Sequence, residues 1–340
     1  MVIDSQVAWY PPEIIEEAKK RSVAPCLMQK GDTTYFISED AEPIPFTKEH
    51  VDLGLQIETQ TRYGVDAAIV GPSYLGDVTR LDLDLAVKWA RIFNKTYSEA
   101  QHTYPGKFFG LATLPLQDPA AAVKVLDEAI LEQGLVGVFM HSNIAGRSIA
   151  TEEMRPVYKR IEELGVPIFI HPTRSRVSYP DGEFDWFVEV TFGWMYDTTL
   201  AAMSLILSGM LDSFPSLQIV HPHLGGVLPY LRGRIKDSQE DPWAPEIKRE
   251  VDDYLKSNFY TDTAVRSAED LPLVFDTYGP DRVLFSSDYP WQKIPDYLTF
   301  ARQNIDKEHL NGVFGRNAAK LFNVTVTEPG DSNLEETCKN

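Results

Sequence analysis

In the stretch Arg282-Val283-Leu284-Phe285-Ser286-Ser287-Asp288, a short apolar run is followed on its C-terminal side by three polar residues. Two other stretches repeat this pattern, Pro167-Ile168-Phe169-Ile170-His171 and Leu217-Gln218-Ile219-Val220-His221-Pro222-His223. Each apolar run is too short for a helix and rich in β-branched or aromatic residues, which predicts a buried parallel strand. Polar residues at the carboxyl ends of such strands collect at one mouth of a (β/α)8 barrel. We therefore expect three side chains to meet in space: His171, His223 and Asp288.

The same pattern accounts for eight strands in all, separated by segments with helical spacing. Five further strands are predicted, at Val2 to Asp4, Ala67 to Val70, Phe108 to Leu114, Val136 to His141 and Phe259 to Thr263. Between them lie segments such as Pro119 to Glu132, whose apolar side chains fall on one helical face. Regular alternation of strand and helix predicts a parallel sheet, and eight strands favour an α/β fold of the (β/α)8 TIM barrel type over an open sheet.

The length of the chain leaves room for additions to this barrel. A TIM barrel needs roughly 250 residues, and the chain has 340. We predict one barrel domain over residues 1–323, with an insertion and the first helix at 13–62, and a C-terminal tail at 324–340. A turn at Lys30-Gly31-Asp32 predicts a small β-hairpin after strand 1, lying over the barrel mouth. The aromatic segment Thr173 to Trp194 is interpreted either as a wall for a flat substrate or as a packed loop or subunit contact.

The amino-acid composition argues against two classes of binding partner. The chain carries 50 acidic and 32 basic residues, a formal charge of −18, which opposes binding to nucleic acid or to an anionic membrane surface. No basic and apolar leader pattern and no membrane-length apolar stretch is found, so we expect a cytoplasmic protein that acts on a small organic molecule. Cys26 and Cys338 lack metal-binding or catalytic spacing and are expected to be ordinary thiols.

The order of these motifs resembles the amidohydrolase superfamily. It begins at Ile3-Asp4, continues through Pro167 to Pro172 and His223-Leu224-Gly225-Gly226, and ends at Ser286 to Pro290. The chain is most similar to the branch that holds aminocarboxymuconate-semialdehyde decarboxylase and the 2,3-dihydroxybenzoate and γ-resorcylate decarboxylases. This resemblance covers nearly the whole chain, and it implies non-oxidative decarboxylation of an aromatic or muconate-like carboxylic acid by a carboxy-lyase.

The first strand departs from the family pattern. That strand normally ends in Asp-x-His-x-His, whose histidines hold a divalent metal together with a later histidine and the last-strand aspartate. Here Gln6 and Ala8 stand at the histidine positions, and neither is a good zinc ligand. The resemblance leaves only His171 and Asp288 of the four ligands. We therefore predict a metal-independent site without a cofactor, the alternative being a residual zinc or manganese ion that recruits Asp4 or His223.

The resemblance also implies roles for the acid–base groups. Asp288 and His223 are expected to transfer protons and His171 to belong to the catalytic group. Asp197 matches an acidic residue that orients the catalytic histidine, with capping of its own helix as the alternative. His141 and His221 match no family ligand and are expected to be structural.

Substrate binding is assigned in the same way. Arg234 is expected to hold a substrate carboxylate in the neighbouring subunit of a homodimer, with bidentate geometry. Arg174 and Arg232 are further candidates, and a surface salt bridge is the alternative for all three arginines. Gln6 and Trp9, beside the first strand, complete the predicted substrate contacts.

Two other functions remain open from sequence. The first is metal-independent hydrolysis of a lactone or related carbonyl compound, with Asp288 activating water. The second is a barrel that binds a ligand without catalysis. Retention of His171, His223 and Asp288 together argues against this second function, since decay would not spare all of them.

Overall fold

Eight parallel strands form the centre of the molecule. The computed structural model describes residues 1–37, 43–173 and 186–326. The described ranges contain eleven strands, eight in the barrel and three in a separate small sheet: β1 (Ile3–Ala8), β2 (Cys26–Lys30), β3 (Thr33–Ile37), β4 (Ile44–Phe46), β5 (Ala67–Gly71), β6 (Phe108–Thr113), β7 (Gly137–His141), β8 (Ile168–His171), β9 (Ile219–Val220), β10 (Phe259–Asp262) and β11 (Val283–Leu284). Strands β1 and β5 to β11 lie side by side in chain order and pair in parallel.

Hydrogen bonds between the first and last strand segments close this sheet. Ser5 donates from both its backbone nitrogen and its hydroxyl to the carbonyl of Phe285, at 2.9 and 2.7 Å. Ala8 N donates to the carbonyl of Tyr289 at 2.8 Å. The predicted (β/α)8 TIM barrel is thereby confirmed.

Helices alternate with the strands and cover the outside of the barrel. They are α1 (Pro12–Lys19), α2 (Leu53–Tyr63), α3 (Leu83–Thr103), α4 (Pro119–Asp127), α5 (Arg155–Leu164), α6 (Trp186–Val188), α7 (Trp194–Leu207), α8 (Met210–Ser213), α9 (Leu228–Gln239), α10 (Val251–Ser257), α11 (Leu271–Tyr278), α12 (Ile294–Asn304), α13 (Lys307–Asn311) and α14 (Asn317–Leu321). The predicted helix from Pro119 begins where Asp118 accepts a hydrogen bond from Ala121 N, and it continues as a π-turn to Glu132.

The apolar side chains form two layers, as expected for strands buried on both faces. One layer fills the barrel interior with at least one residue from each of the eight barrel strands, including Ile69, Leu111 and Phe169. The other packs the outer faces of the strands against the helices. Phe322, directly after α14, joins the interior layer and closes the end of the barrel opposite the carboxyl strand ends.

The insertion after β1 contains the predicted hairpin and one strand more. Strands β2 and β3 pair antiparallel around a two-residue loop in which Gly31 has a left-handed φ of 60°. Strand β4 pairs with β3 and was not predicted from sequence. Its three residues are too few to show an alternation pattern, and Pro45 lies in the middle of it.

Two strands end earlier than their apolar runs predict. β9 ends at Val220, and His223 lies in a following 3-10 turn with a left-handed φ of 55°. β11 ends at Leu284, and Asp288 has a φ of 59°. In contrast, β1 is longer than predicted and carries Gln6 and Ala8 within the strand. Left-handed backbone is uncommon outside glycine and concentrates at functional sites.

Some of the predicted residues lie outside the described ranges. Val324 and Val326, the first residues of the predicted tail, pack against the barrel interior. Residues 327–340, with Cys338, and Arg174 lie outside the described ranges. Cys26 is a free, buried thiol. No helix of the described ranges is long and apolar enough to cross a membrane.

Candidate active site

A cavity of about 560 Å³ opens at the carboxyl ends of the barrel strands. Its polar wall is formed by Gln6, Thr47, His50, His171, His223, Asp288 and Gln292. The three strand-end groups that the sequence pattern placed together therefore line one cavity, although they come from distant segments of the chain.

The remaining wall of this cavity is apolar and aromatic. It consists of Pro43, Ile44, Pro45, Pro172, Val190, Trp194, Pro290 and Trp291. Strand β4, which the sequence did not predict, thus brings the insertion to the barrel mouth, and Val190 and Trp194 come from the predicted aromatic segment. That the hairpin of β2 and β3 lies over the mouth stays a prediction. Among the described residues, no lysine or arginine lines the cavity. Such a lining suits a flat organic molecule.

Asp288 lies at the cavity with its carboxyl held by the first strand. Gln6 Nε2 donates a hydrogen bond to Asp288 Oδ1 at 2.9 Å. Loss of hydration, reinforced by the nearby carboxyls of Asp262 and Asp4, raises the pKa of Asp288 well above its usual value. A raised pKa extends the protonated form of this carboxyl to higher pH, and in that form it is able to act as an acid.

Two further carboxyls are buried beside Asp288. Asp4 accepts hydrogen bonds from the backbone nitrogen and hydroxyl of Ser287, yet burial raises the pKa of Asp4 to about 6. Asp262 Oδ1 accepts from His223 N at 2.8 Å, and burial raises the pKa of Asp262 to about 7. Sequence reasoning missed Asp262, although it ends β10 in the same way that His171 ends β8.

The two strand-end histidines of the cavity, His171 and His223, are buried and neutral. Burial lowers the pKa of His223 to about 4 and that of His171 well below its ordinary value. His171 Nδ1 donates to the carbonyl of Pro172 at 2.6 Å, so its Nε2 carries the lone pair. Neither imidazole is therefore poised to give up a proton at neutral pH.

Asp197 is buried on α7 and supports the loop after β7. Its Oδ2 accepts hydrogen bonds from Ser142 Oγ at 2.5 Å and Asn143 Nδ2 at 2.7 Å. Ser142 Oγ in turn accepts from the backbone nitrogen of Thr173, two residues after His171. The contacts therefore join Asp197 to the segment that carries His171, and its catalytic role stays a prediction.

Trp9, predicted to contact the substrate, and His141, predicted to be structural, are both buried. Trp9 does not line the cavity: it is buried in the outer core, stacks on Tyr97 and donates its indole N–H to the carbonyl of Val51. This placement corrects the prediction, since an indole after a strand is as easily a core residue as a cavity residue. His141, predicted to be structural, bonds through Nε2 to the carbonyl of Ser73.

The two described arginine candidates lie on α9 and differ in their contacts. Arg232 forms ion pairs with Asp276 and Asp252, which is the surface salt bridge considered as its alternative. Arg234 is exposed and forms no ion pair within the described ranges. In a single chain it is not part of the cavity wall.

The donor atoms at the barrel mouth do not fit the divalent metal that the resemblance implies. Gln6 turns its amide nitrogen, which is no ligand, to Asp288, and Ala8 offers no donor atom. Across the described ranges, the single group of three His, Cys, Asp or Glu ligand atoms within 4.8 Å of one another is Asp306, Glu308 and His309, on the surface. The cavity residues therefore lack the three-ligand set that catalytic zinc sites keep.

Comparison with known proteins places this geometry in context. Residues 61–324 match the family model described as Amidohydrolase. A γ-resorcylate decarboxylase from Rhizobium sp. strain MTP-10005 is 30% identical over 70% of this chain and 77% of its own. A 2-amino-3-carboxymuconate-6-semialdehyde decarboxylase from Dictyostelium discoideum is 26% identical over 70% of this chain and 67% of its own.

Solved structures match the fold over most of its length. The 5-carboxyvanillate decarboxylase from Novosphingobium aromaticivorans, complexed with manganese and 4-hydroxy-3-methoxy-5-nitrobenzoic acid, has a TM-score of 0.80 and is 26% identical. The match covers 95% of this chain and 96% of that chain. The predicted resemblance to aromatic acid decarboxylases is confirmed at the level of sequence and fold.

Proposed function

Because the chain belongs to the amidohydrolase family, we propose that it is a non-oxidative decarboxylase of a small aromatic or muconate-like carboxylic acid. The observation that carries the proposal is Asp288, a carboxyl with a raised pKa on an aromatic-walled cavity. The relatives named above are decarboxylases of acids of this kind, which supports the same reaction here.

The proposed chemistry needs one proton donor. Asp288 gives its proton to the ring or chain carbon that bears the carboxylate. The bond from that carbon to the carboxylate then breaks, its electron pair returns to the π system that supplied the electrons of the new C–H bond, and carbon dioxide leaves. Asp288 recovers its proton from solvent. Asp288 fits this role better than His223, because burial raises the pKa of the carboxyl and favours its protonated form, whereas burial lowers the pKa of the imidazole to about 4 and favours its neutral form.

We infer further that the reaction does not depend on a resident metal. The inference rests on the donor set: Gln6 and Ala8 replace the paired ligands, and Gln6 uses its amide nitrogen to hold Asp288. The hydrogen bond to Asp288 Oδ1 leaves Oδ2 to carry the proton. Gln6 is then a positioning residue for the acid, and His171 and His223 line the cavity as neutral groups.

Arg234 is proposed to supply the substrate's counter-charge from the second subunit of a homodimer. Its exposed position on α9 and the absence of an ion pair within the described ranges support this role. We expect Arg234→Ala to raise KM roughly 10- to 100-fold, the effect of losing a charge-assisted hydrogen bond. Arg232→Ala, which breaks the ion pairs to Asp276 and Asp252, should change KM little.

Co-expression of two impaired chains, assayed at a substrate concentration well below the wild-type KM, tests whether Arg234 acts across subunits. A dimer of one Asp288→Asn chain and one Arg234→Ala chain holds one complete site if the arginine serves the partner. Partial recovery of activity over either variant alone is expected. Absence of recovery, or a monomer in sedimentation analysis of the wild-type protein, would refute the role across an interface.

A direct assay tests the proposed reaction. The purified protein is incubated with four acids, 2,6-dihydroxybenzoate, 2,3-dihydroxybenzoate, 6-methylsalicylate and 5-carboxyvanillate, and with a set of lactones. Release of carbon dioxide with formation of the matching phenol is the expected result. Ring opening of a lactone without carbon dioxide release would establish hydrolysis instead, and binding without either reaction would indicate a ligand-binding barrel.

A further inference from the structure

A histidine of the insertion reaches the same cavity from outside the barrel strands. His50 ends a 3-10 turn, Lys48–His50, between β4 and α2. Its side chain is 2% exposed and lines the cavity together with Gln6, His171 and Asp288. The ring lies against Trp291, with 4.4 Å between ring centroids, and against Phe46 at 5.3 Å. These contacts fix where the imidazole lies.

The turn also fixes which nitrogen of His50 carries the proton. The backbone nitrogen of Thr47 donates to His50 Nδ1 at 3.1 Å, as part of a capping box. A backbone N–H needs a lone pair on its acceptor, so Nδ1 is unprotonated and the proton sits on Nε2. Burial lowers the pKa of His50 to about 4, which keeps the ring in this single neutral form at pH 7.

The Nε2–H donor of His50 has no partner within the described ranges. This nitrogen is buried and forms no hydrogen bond there. A buried polar group without a partner destabilises a fold, so such groups in native proteins call for an explanation. A bound molecule in the cavity would supply the missing acceptor.

We propose that His50 is a specificity-determining residue that donates its Nε2–H to an anionic oxygen, carboxylate or phenolate, of the bound substrate. The proposal rests on the function proposed above and names the chemistry that the substrate presents to the insertion. The described cavity wall holds no lysine or arginine, and Gln6 Nε2 is engaged by Asp288. His50 is therefore a fixed donor on the cavity wall whose Nε2–H no described residue accepts.

Two substitutions separate the donor from the ring. His50→Phe keeps a flat ring against Trp291 and removes the N–H, whereas His50→Gln places an amide N–H close to the original Nε2. The four acids of the assay above are titrated calorimetrically into the wild-type protein and both variants. We expect His50→Phe to weaken binding of the acid that the enzyme decarboxylates roughly 10- to 100-fold. His50→Gln should recover most of the lost affinity.

A second measurement does not depend on the variants folding. Nitrogen-15 spectra of the wild-type histidine side chains should show His50 protonated at Nε2 alone, and the Nε2 resonance should shift when the acid is added. The reverse tautomer, or an Nε2 resonance unmoved by a bound acid, would overturn the proposal.

The outcomes distinguish this proposal from the function on which it rests. If the wild-type protein releases carbon dioxide and His50→Phe binds the acid as tightly as wild type, the His50 role is wrong and the decarboxylase function stands. If the wild-type protein neither binds nor decarboxylates any of the four acids, the proposed decarboxylation of an aromatic acid is wrong and the His50 role falls with it.

Discussion

Replacing Asp288 by asparagine is expected to reduce kcat/KM for carbon dioxide release at least about 1,000-fold, within the range that a general acid contributes. Asparagine keeps the size of the side chain and can still accept the hydrogen bond that Gln6 Nε2 donates to Asp288 Oδ1. It has no proton to give to the substrate carbon. Steady-state kinetics on the accepted acid, together with the thermal unfolding midpoint, separate this loss from misfolding.

The matched control is the same substitution on the surface. Asp276→Asn removes a carboxyl that is exposed and paired with Arg232, and we expect wild-type activity from it. Asp288→Asn with more than a tenth of wild-type activity would contradict the assignment of Asp288.

The pH dependence of the wild-type enzyme follows from the same group. The pKa of Asp288 is raised, so the acid form persists below this pKa and is lost as the pH rises through it. If Asp288 is the acid, kcat/KM is constant at lower pH and falls on the alkaline side. A profile that instead rises with pH would indicate that an ionised carboxylate or neutral imidazole acts as a base.

Gly226→Ala is expected to lower the free energy of unfolding by about 3 kcal/mol or more, from left-handed backbone strain and overpacking combined. Gly226 has a φ of 58°, and a Cβ there would lie 2.5 Å from Thr199 Oγ1 and 2.8 Å from the carbonyl of Met195. Thr199 holds Val227 N at 3.0 Å, so the clash also disturbs the turn that follows His223. Urea unfolding measures the loss.

Gly233→Ala provides the control for this prediction. Gly233 lies within α9, and a Cβ at that position meets no described atom within 4 Å. Alanine is the better helix former, so a gain of up to about 1 kcal/mol is expected. Equal unfolding free energies for the two variants would show that the turn after His223 tolerates a side chain and does not fix that histidine.

The barrel could be predicted from the sequence because its strands are short, apolar and bounded by turns. All eight barrel strands were predicted, and so were the helix that begins at Pro119 and the hairpin around Gly31. The predicted strands were longer than β9 and β11, which end at Val220 and Leu284. The residues that follow, His221-Pro222 and Ser286-Ser287, carry no helix or turn pattern that would mark the end of a strand. The left-handed backbone at His223 and Asp288 has no signature in the side-chain pattern.

The residues of the candidate site could be predicted only in part from the sequence. Residues at strand ends could be placed at one mouth because parallel strands share a direction, and Asp262 follows that rule although it was overlooked. His50 could not be found in this way, because it reaches the cavity from an irregular turn of the insertion. Trp9 was misplaced, since sequence does not show on which side of the sheet a residue after β1 packs.

The central claim is tested most directly by turnover of protein freed of metal. The protein is treated with chelator, its zinc, manganese and iron content is measured by mass spectrometry, and carbon dioxide release is followed before and after adding manganese. We expect full activity at well below one metal equivalent per chain, and no increase with manganese. Activity that disappears on chelation and returns with one equivalent of manganese would contradict the account.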